Sequence, residues 1–281
     1  MSEIHNLVRL YDIFSKYGLD VRGGVYPWHF DRLYPTEVTR LHRALPFMGI
    51  TKKREKIVVG AGISPIEMMF CSALLESFAP KNIFIIGNSF GWSTFAFALA
   101  CPQSKIVVID AVIEGYDNQA MFDMTQHIIE KEGFGNVTLV KAVSPQDVDA
   151  VVESHMTGTI DVALIDGDHT NEQQAKDFQA LYPHLSTQSI VLFHDVLNWD
   201  LVESFRQLRA QYSHLASDIL MRTPSGMGVF YSRDIPESSK KIIAAFVESK
   251  ENIRFFQGYT KTRMQDCIER TGLQLHAYTE E

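Results

Sequence analysis

Five short apolar runs alternate with helix-length amphipathic segments along the middle of the chain, and this alternation constrains the fold more than any other feature. The runs cover residues 82–87, 105–110, 137–143, 160–166 and 189–195. Nearly unbroken apolar runs of this length indicate strands that are buried on both faces. The intervening segments predict helices over 92–100, 117–132, 145–155 and 171–184. Strands that alternate with helices in this way predict a parallel, doubly wound α/β sheet.

Residues typical of helix N-termini support these helices and add one ahead of the sheet. Three pairs carry this signal: Ser144 with Pro145, Thr170 with Gln173, and Ser64 with Glu67. The first predicts an N-cap followed by Pro at the first helical position, and the other two predict capping boxes. We expect residues 60–62, Gly-Ala-Gly, to form the turn into the helix that Ser64 caps.

The pattern changes after the fifth strand. A helix over 200–212 is followed by two strand-like runs, 218–223 and 227–232, which are joined by a Pro-Ser-Gly turn. Strands with so short a connection can only be antiparallel neighbours. We divide the chain into an N-terminal accessory region over 1–55, a main domain over 56–235 and a helical extension over 236–281.

The turn after the first of these strands predicts a cofactor site. It carries Gly87 and Gly91, and a helix follows directly. Such a turn lets a ligand approach the backbone, and we expect a side chain at Gly91 to enter that space. Asp110 ends the next strand, 23 residues after Gly87, near the offset of about 20 at which an acidic group meets a ribose diol. The alternative is that the glycines only permit close packing and Asp110 is a solvated strand end.

Polar residues follow the strands at 160–166 and 189–195. Asp166, Asp168, His169, His194 and Asp195 all fall at strand carboxyl ends, where open α/β sheets bind ligands. We predict that Asp166, His169 and His194 are catalytic, with His169 as a base, and that Asp166, His194 and Asp195 hold a divalent ion such as Mg²⁺ or Mn²⁺. The alternative makes Asp168 a helix-start residue and His194 a hydrogen-bonded buried group.

Charge and cysteine usage restrict the partners and the compartment. The net charge is −8, without a Lys/Arg block that could track a phosphate backbone, which argues against nucleic acid and anionic membranes. Cys71, Cys101 and Cys267 are far apart, so we expect neither a disulfide framework nor a zinc site. With no signal-peptide pattern or membrane span, the prediction is a soluble, cytoplasmic protein.

The N-terminal region has two further features. The aromatic stretch 26–35 suggests a lid or a packed accessory segment. The apolar N-terminal additions leave open whether the protein forms a homodimer.

At this level of detail the sequence resembles a known family. The segments that carry the resemblance are 82–94, 107–110, 163–178, 185–196 and 226–232, above all IDGDH after one strand and FHD after the next. They are similar to class I S-adenosylmethionine-dependent methyltransferases, in the branch related to catechol and macrocin O-methyltransferases. The resemblance implies a Rossmann-like, mainly parallel seven-stranded sheet with an antiparallel last strand and N-terminal helical additions. It also implies methyl transfer to the oxygen of a small-molecule or sugar-containing acceptor.

The resemblance implies which residues contact S-adenosylmethionine. They are Gly87, Asn88, Phe90, Gly91 and Ser93 at the methionine end, Asp110 and Ala111 at the ribose, Ala142, Val143 and Ser144 at the adenine, and Asp166. The chain departs from the family at Ile85, where many members have an acidic residue. It departs again at His194-Asp195, where metal-dependent members usually have two Asp or Asp and Asn, so the presence and identity of a metal stay open.

Two other functions are compatible with such a sheet. A nicotinamide-dependent oxidoreductase is disfavoured because the glycines are spaced GxxxG, not GxGxxG. A subunit that binds S-adenosylmethionine without turnover would retain the glycines and have an inert site.

Overall fold

The computed structural model describes residues 3–22, 47–52, 55–113, 118–255, 258 and 262. The aromatic stretch 26–35, interpreted as a lid or a packed accessory segment, lies outside the described residues, as does Cys267. None of the helices in the described ranges is long and apolar enough to span a membrane.

The elements follow one another in this order: α1 Glu3–Lys16, β1 Leu19–Arg22, β2 Phe47–Lys52, β3 Glu55–Ile63, α2 Pro65–Phe78, β4 Asn82–Ile86, α3 Trp92–Ala100, β5 Lys105–Asp110, α4 Asn118–Glu132, β6 Val137–Lys141, α5 Val148–His155, β7 Ile160–Ile165, α6 Asn171–Leu181, a 3₁₀ turn Tyr182–His184, β8 Leu185–Phe193, α7 Val202–Gln211, β9 Ala216–Ile219, β10 Gly228–Tyr231 and α8 Glu237–Phe246.

The main sheet has seven strands in the order β6-β5-β4-β7-β8-β10-β9. The pairs from β6 to β8 are parallel, and β10 is antiparallel to both of its neighbours. The predicted fold class, a doubly wound and mainly parallel sheet whose last strand is antiparallel, is therefore confirmed.

Helices cover both faces of this sheet because its central strands are apolar on both sides. On β4, Ile83 and Ile85 belong to one core cluster and Phe84 and Ile86 to the other. The first cluster also includes residues of α1, α2, α3, α4 and α8. The second includes residues of α5, α6 and α7. This arrangement leaves the carboxyl ends of the parallel strands open to a ligand.

The N-terminal region contributes both a helix and a second sheet. Helix α1 packs on α3, where Phe14 lies edge-on to Trp92 with ring centroids 5.4 Å apart. Strands β1, β2 and β3 form a three-stranded antiparallel sheet, which the sequence did not predict because such pairing is non-local. Its last strand reaches α3, since the Trp92 indole donates a hydrogen bond to the Ile63 carbonyl at 2.9 Å.

Three local expectations are wrong or incomplete. Residues 60–62 continue β3 and do not form a turn, because β3 pairs with β2 as far as Ile63. Ser144 is not an N-cap, because α5 begins only at Val148 and the Ser144 hydroxyl donates to Asp177. The Thr170 box is half formed: the Thr170 hydroxyl accepts from the Gln173 N–H, but the Gln173 side chain donates elsewhere. The Ser64–Glu67 box is confirmed with both bonds.

Candidate active site

A cavity of about 660 Å³ opens at the carboxyl ends of β4, β5 and β7. The strand order reverses between β4 and β7, and doubly wound sheets bind ligands at such a switch point. The cavity wall contains most residues to which the sequence assigned a cofactor contact: Gly87, Asn88, Ser93, Asp110, Ala111, Ala142, Val143, Ser144 and Asp166. Phe90 and Gly91, which were also assigned a cofactor contact, are not among the described residues of that wall.

The glycines of the loop after β4 are required by close packing. Gly87 has φ +96°, and a Cβ there would collide with the carbonyl oxygen of Asp166. Gly91 has φ +80°, and a Cβ there would lie 2.7 Å from Thr125 Cγ2 and 2.9 Å from the Phe95 ring. The missing side chain of Gly91 therefore faces protein atoms and not the cavity, as in the packing alternative. A cofactor contact for Gly91 stays a prediction.

Asp110 links the end of β5 to the glycine loop. Its Oδ2 accepts hydrogen bonds from the backbone N–H groups of Asn88 and Ser89, at 2.8 and 3.1 Å, and its Oδ1 accepts from the Val112 N–H at 2.8 Å. A carboxylate has about four acceptor positions, so room remains for a ligand hydroxyl. The Asn88 side chain turns inward and donates to Thr125 Oγ1 at 3.0 Å.

A second carboxylate lines the cavity beside the loop after β6. Asp177 is only 1% exposed, and its Oδ1 accepts from Ser144 Oγ and from Gln173 Nε2, both at 2.6 Å. Burial raises the pKa of Asp177 to about 6, although these hydrogen bonds act in the opposite direction.

The polar residues at the ends of β7 and β8 converge into one cluster, formed by Asp166, His169, His194 and Asp195. One potential ligand atom from each lies within 4.8 Å of the others. His194 Nδ1 lies 3.0 Å from Asp166 Oδ1 and 3.2 Å from Asp195 Oδ2. His169 Nε2 approaches the same two oxygens, at 3.7 and 3.3 Å. The structure thus brings the predicted catalytic and metal-binding residues together.

His194 is the innermost member of the cluster and has a partner on its other side. Its Nε2 lies 3.2 Å from Glu67 Oε2, within hydrogen-bond distance. Glu67 is fully buried and also accepts hydrogen bonds from the Ser64 N–H at 2.7 Å, from the Ser225 N–H at 3.0 Å and from the Ser225 hydroxyl.

The carboxylates dominate the electrostatics of the cluster. Burial by itself would lower the pKa of His194, but the charge of Asp166 and hydrogen bonds with Asp166, Asp195 and Glu67 raise that pKa well above its usual range. Burial would raise the pKa values of Asp166 and Glu67, yet the adjacent His194 lowers both. The cluster therefore collects negative charge that a cation or an imidazolium must balance.

His169 lies at the outer edge of the cluster and lines the cavity. Its ring stacks on Trp199, with centroids 5.2 Å apart and planes 11° apart. Its Nε2 is shielded from solvent, and no described residue forms a hydrogen bond with it. Burial lowers the pKa of His169, but the carboxylates of Asp166 and Asp195 outweigh burial and raise it.

Sequence reasoning missed several residues around this cavity. Gly62 lines it with φ +110°, and a Cβ there would collide with Ser93 Oγ. Glu67 was identified only as a helix cap, because nothing local indicates a contact with a residue 127 positions away. Asp177 could have been found, because its i, i+4 spacing from Gln173 places both on one face of a helix that begins at the site.

Comparisons with known proteins identify relatives of the central part of the chain. Residues 84–196 match the protein family described as a methyltransferase domain. The flavonoid 3',5'-methyltransferase of Vitis vinifera is 29% identical over 106 residues, which are 37% of this chain and 43% of the relative. The chain thus spans less than half the length of this curated relative.

Solved structures share the fold. The O-methyltransferase from Bacillus cereus, in complex with S-adenosylhomocysteine, has a TM-score of 0.51 and 16% identity, covering 61% of this chain and 83% of that one. TomG, an O-methyltransferase from Streptomyces achromogenes involved in tomaymycin synthesis, has a TM-score of 0.51 and 14% identity, covering 61% and 82%. Residues 84–196 match a methyltransferase domain, and the sheet that they form has the class I methyltransferase fold. The resemblance to class I methyltransferases is therefore confirmed, and this domain contains the glycine loop, Asp110 and the whole four-residue cluster.

Proposed function

We propose that the chain is an S-adenosylmethionine-dependent O-methyltransferase that acts on a hydroxyl group of a small molecule or sugar-containing metabolite. The observation that carries the proposal is one cavity that joins the loop of Gly87 and the Asp110 carboxylate to the cluster at Asp166 and His169. The match to a methyltransferase domain and the similarity to a flavonoid methyltransferase support the same activity.

The cofactor would lie across the ends of β4, β5 and β6. Its methionine carboxylate would face the N-terminus of α3, where Gly91 provides no side-chain cap and the first N–H groups attract an anion. Its ribose hydroxyls would donate to Asp110. Its adenine would lie against residues 142–144, above the Asp177 carboxylate.

The reaction is a displacement at the methyl carbon. The acceptor oxygen forms a bond to that carbon, the carbon–sulfur bond breaks, S-adenosylhomocysteine leaves, and the hydroxyl proton passes to a base of the site or to water. The protein contributes mainly orientation, which supplies much of the barrier reduction in such reactions. The cluster forms part of the wall of the cavity, through Asp166 and His169, so an acceptor bound beside it would point its oxygen toward the cofactor.

A divalent ion fits the residues present in the cluster. Asp166, His194 and Asp195 would hold it, because their ligand atoms already converge. Bound there, a Mg²⁺ or Mn²⁺ ion would lower the pKa of a coordinated hydroxyl. The alternative is a metal-free site in which the His169 imidazole removes the proton.

Binding of S-adenosylhomocysteine tests the part of the proposed function that concerns cofactor binding. We expect calorimetry to show binding to the wild type and an affinity about 10- to 100-fold lower for Asp110→Asn, which loses charge-assisted hydrogen bonds. Asp123→Asn, on the exposed face of α4, is the matched control and should bind normally. Binding of a nicotinamide cofactor in place of the adenosyl ligand would contradict the proposal.

Release of S-adenosylhomocysteine from a panel of catechol, flavonoid and sugar hydroxyls tests turnover. Chelation should stop the release, a divalent salt should restore it, and Asp195→Ala should be inactive while S-adenosylmethionine still binds. Activity that survives chelation but is lost in His169→Ala would favour the metal-free route. Binding with no turnover on any acceptor would identify a non-catalytic subunit.

We also propose a cytoplasmic location, supported by free, buried thiols at Cys71 and Cys101. The homodimer stays a prediction.

A further inference from the structure

The two imidazoles of the cluster approach the same pair of carboxylate oxygens. His194 Nδ1 and His169 Nε2 both lie 3.0–3.7 Å from Asp166 Oδ1 and Asp195 Oδ2. Two carboxylates and two ring nitrogens that converge at these separations form a set of donors around a common point.

His169 Nε2 faces the carboxylates of the cluster without forming a well-aligned hydrogen bond to them. The atom is shielded from solvent, and Asp195 Oδ2 lies 3.3 Å away, but among the described residues no contact has hydrogen-bond geometry. A buried polar atom without a partner is costly, and native structures rarely leave one. Trp199 covers the face of the ring and Nε2 points at the carboxylates, so this nitrogen is directed to the cluster.

Glu67 determines how His194 faces the same point. A carboxylate only accepts hydrogen bonds, so the His194 nitrogen that faces Glu67, Nε2, carries a proton. Nδ1 is the nitrogen that faces the Asp166 and Asp195 carboxylates, and it can bind an ion there when the ion displaces its proton. Hydrogen bonds from Ser64 and Ser225 fix the Glu67 carboxylate. A carboxylate behind a metal-binding imidazole orients the ring and sets its tautomer.

We propose that His169 completes a site of two carboxylates and two imidazoles for a divalent transition metal, and that Glu67 is the positioning residue that presents His194 Nδ1 to the ion. This inference deepens the ion-assisted form of the proposed function and rests on it. Oxygen-only donor sets suit Mg²⁺, Ca²⁺ and Mn²⁺, whereas imidazole donors shift the preference toward later transition metals such as Co²⁺. His169 then serves as a ligand and not as the base.

Metal titration of the full chain, stripped by a chelator and free of cofactor, tests the site without an activity assay. We expect one Co²⁺ per chain with visible d–d absorption, and calorimetric affinities for Co²⁺ and Mn²⁺ that exceed the affinity for Mg²⁺. His169→Ala should lower the Co²⁺ affinity at least about tenfold and change the spectrum, and Glu67→Gln should lower it about 10- to 100-fold. His184→Ala is the matched control, because His184 pairs with Asp149 on the surface, away from the cluster.

Each result bears on the proposal. Equal affinity for Mg²⁺ and Co²⁺, or unchanged Co²⁺ binding in His169→Ala, would overturn it. If Glu67→Gln fails to fold, Ser225→Ala removes one support of the same carboxylate and should weaken Co²⁺ binding; unchanged binding would refute the role of Glu67. Binding of S-adenosylhomocysteine to the metal-free protein is measured in parallel. Loss of the metal site with that binding intact refutes only this inference, whereas metal binding without adenosyl binding refutes the proposed function.

Discussion

At the residue scale, Gly91 shows how one position can serve packing in place of ligand contact. The sequence suggested that a side chain there would enter the cofactor space, but the structure directs it at Thr125 and Phe95. We expect Gly91→Ala to lower the free energy of unfolding by about 1–3 kcal/mol more than Gly133→Ala does. Gly133 is the matched control, because it has φ +71° and nothing within 4 Å of an added Cβ. Urea denaturation measures the free energy of unfolding of both variants. Equal losses would show that contacts of the added Cβ with Thr125 and Phe95 do not destabilise the protein.

Asp177 predicts a pH dependence of stability. Burial raises the pKa of its carboxyl from 3.8 to about 6. The protonated form favours folding, so this contribution is fully present below pH 3.8 and is lost as the pH rises through about 6. The isosteric variant Asp177→Asn lacks this titration. Between about pH 4 and pH 7 the wild type should therefore lose about 2–3 kcal/mol of unfolding free energy relative to the variant. Denaturation curves at several pH values measure the difference, and a constant difference over the range would contradict the assignment.

At the element scale, Thr170 begins the helix that carries Gln173 and Asp177 under the cavity. Its hydroxyl accepts the Gln173 N–H at 3.2 Å, one of the N–H groups that a helix N-terminus leaves without an intrahelical partner. Thr170→Ala should lower the free energy of unfolding by about 1 kcal/mol, whereas Thr170→Ser retains the hydroxyl and should cost much less. Thermal or urea unfolding compares the two variants. Equal losses of unfolding free energy in the two variants would mean that the Thr170 methyl group, and not the hydrogen bond of its hydroxyl, stabilises the helix.

At the scale of the whole molecule, α1 shares a core with the methyltransferase domain. Phe14 is fully buried between this helix and α3, with its ring against Trp92 and Phe95. We expect Phe14→Ala to cost about 3–5 kcal/mol of unfolding free energy. Val8→Ala, on the exposed face of the same helix, should stay within about 0.5 kcal/mol of the wild type. A small effect of Phe14→Ala would indicate that α1 is an independent appendage.

The sequence by itself determined the alternation of strands and helices in the main sheet, the order of its elements from β4 to β10 and the loop that precedes α3. These features follow from local patterns: apolar runs identify strands buried on both faces, and glycines and N-cap residues identify the boundaries. The capping role of Glu67 was also readable, because both hydrogen bonds of its box lie within four residues.

Only the tertiary structure decided which distant groups meet. The contact between Glu67 and His194 spans 127 residues, the Ser144 hydroxyl bonds with Asp177 where the sequence predicted a helix cap, and β1, β2 and β3 pair into a second sheet. None of these has a local signal, because a side chain's partner is chosen by chain segments that fold against it from elsewhere. The strand-end residues were predictable as a group, but the direction of each imidazole was set by the carboxylates that surround it.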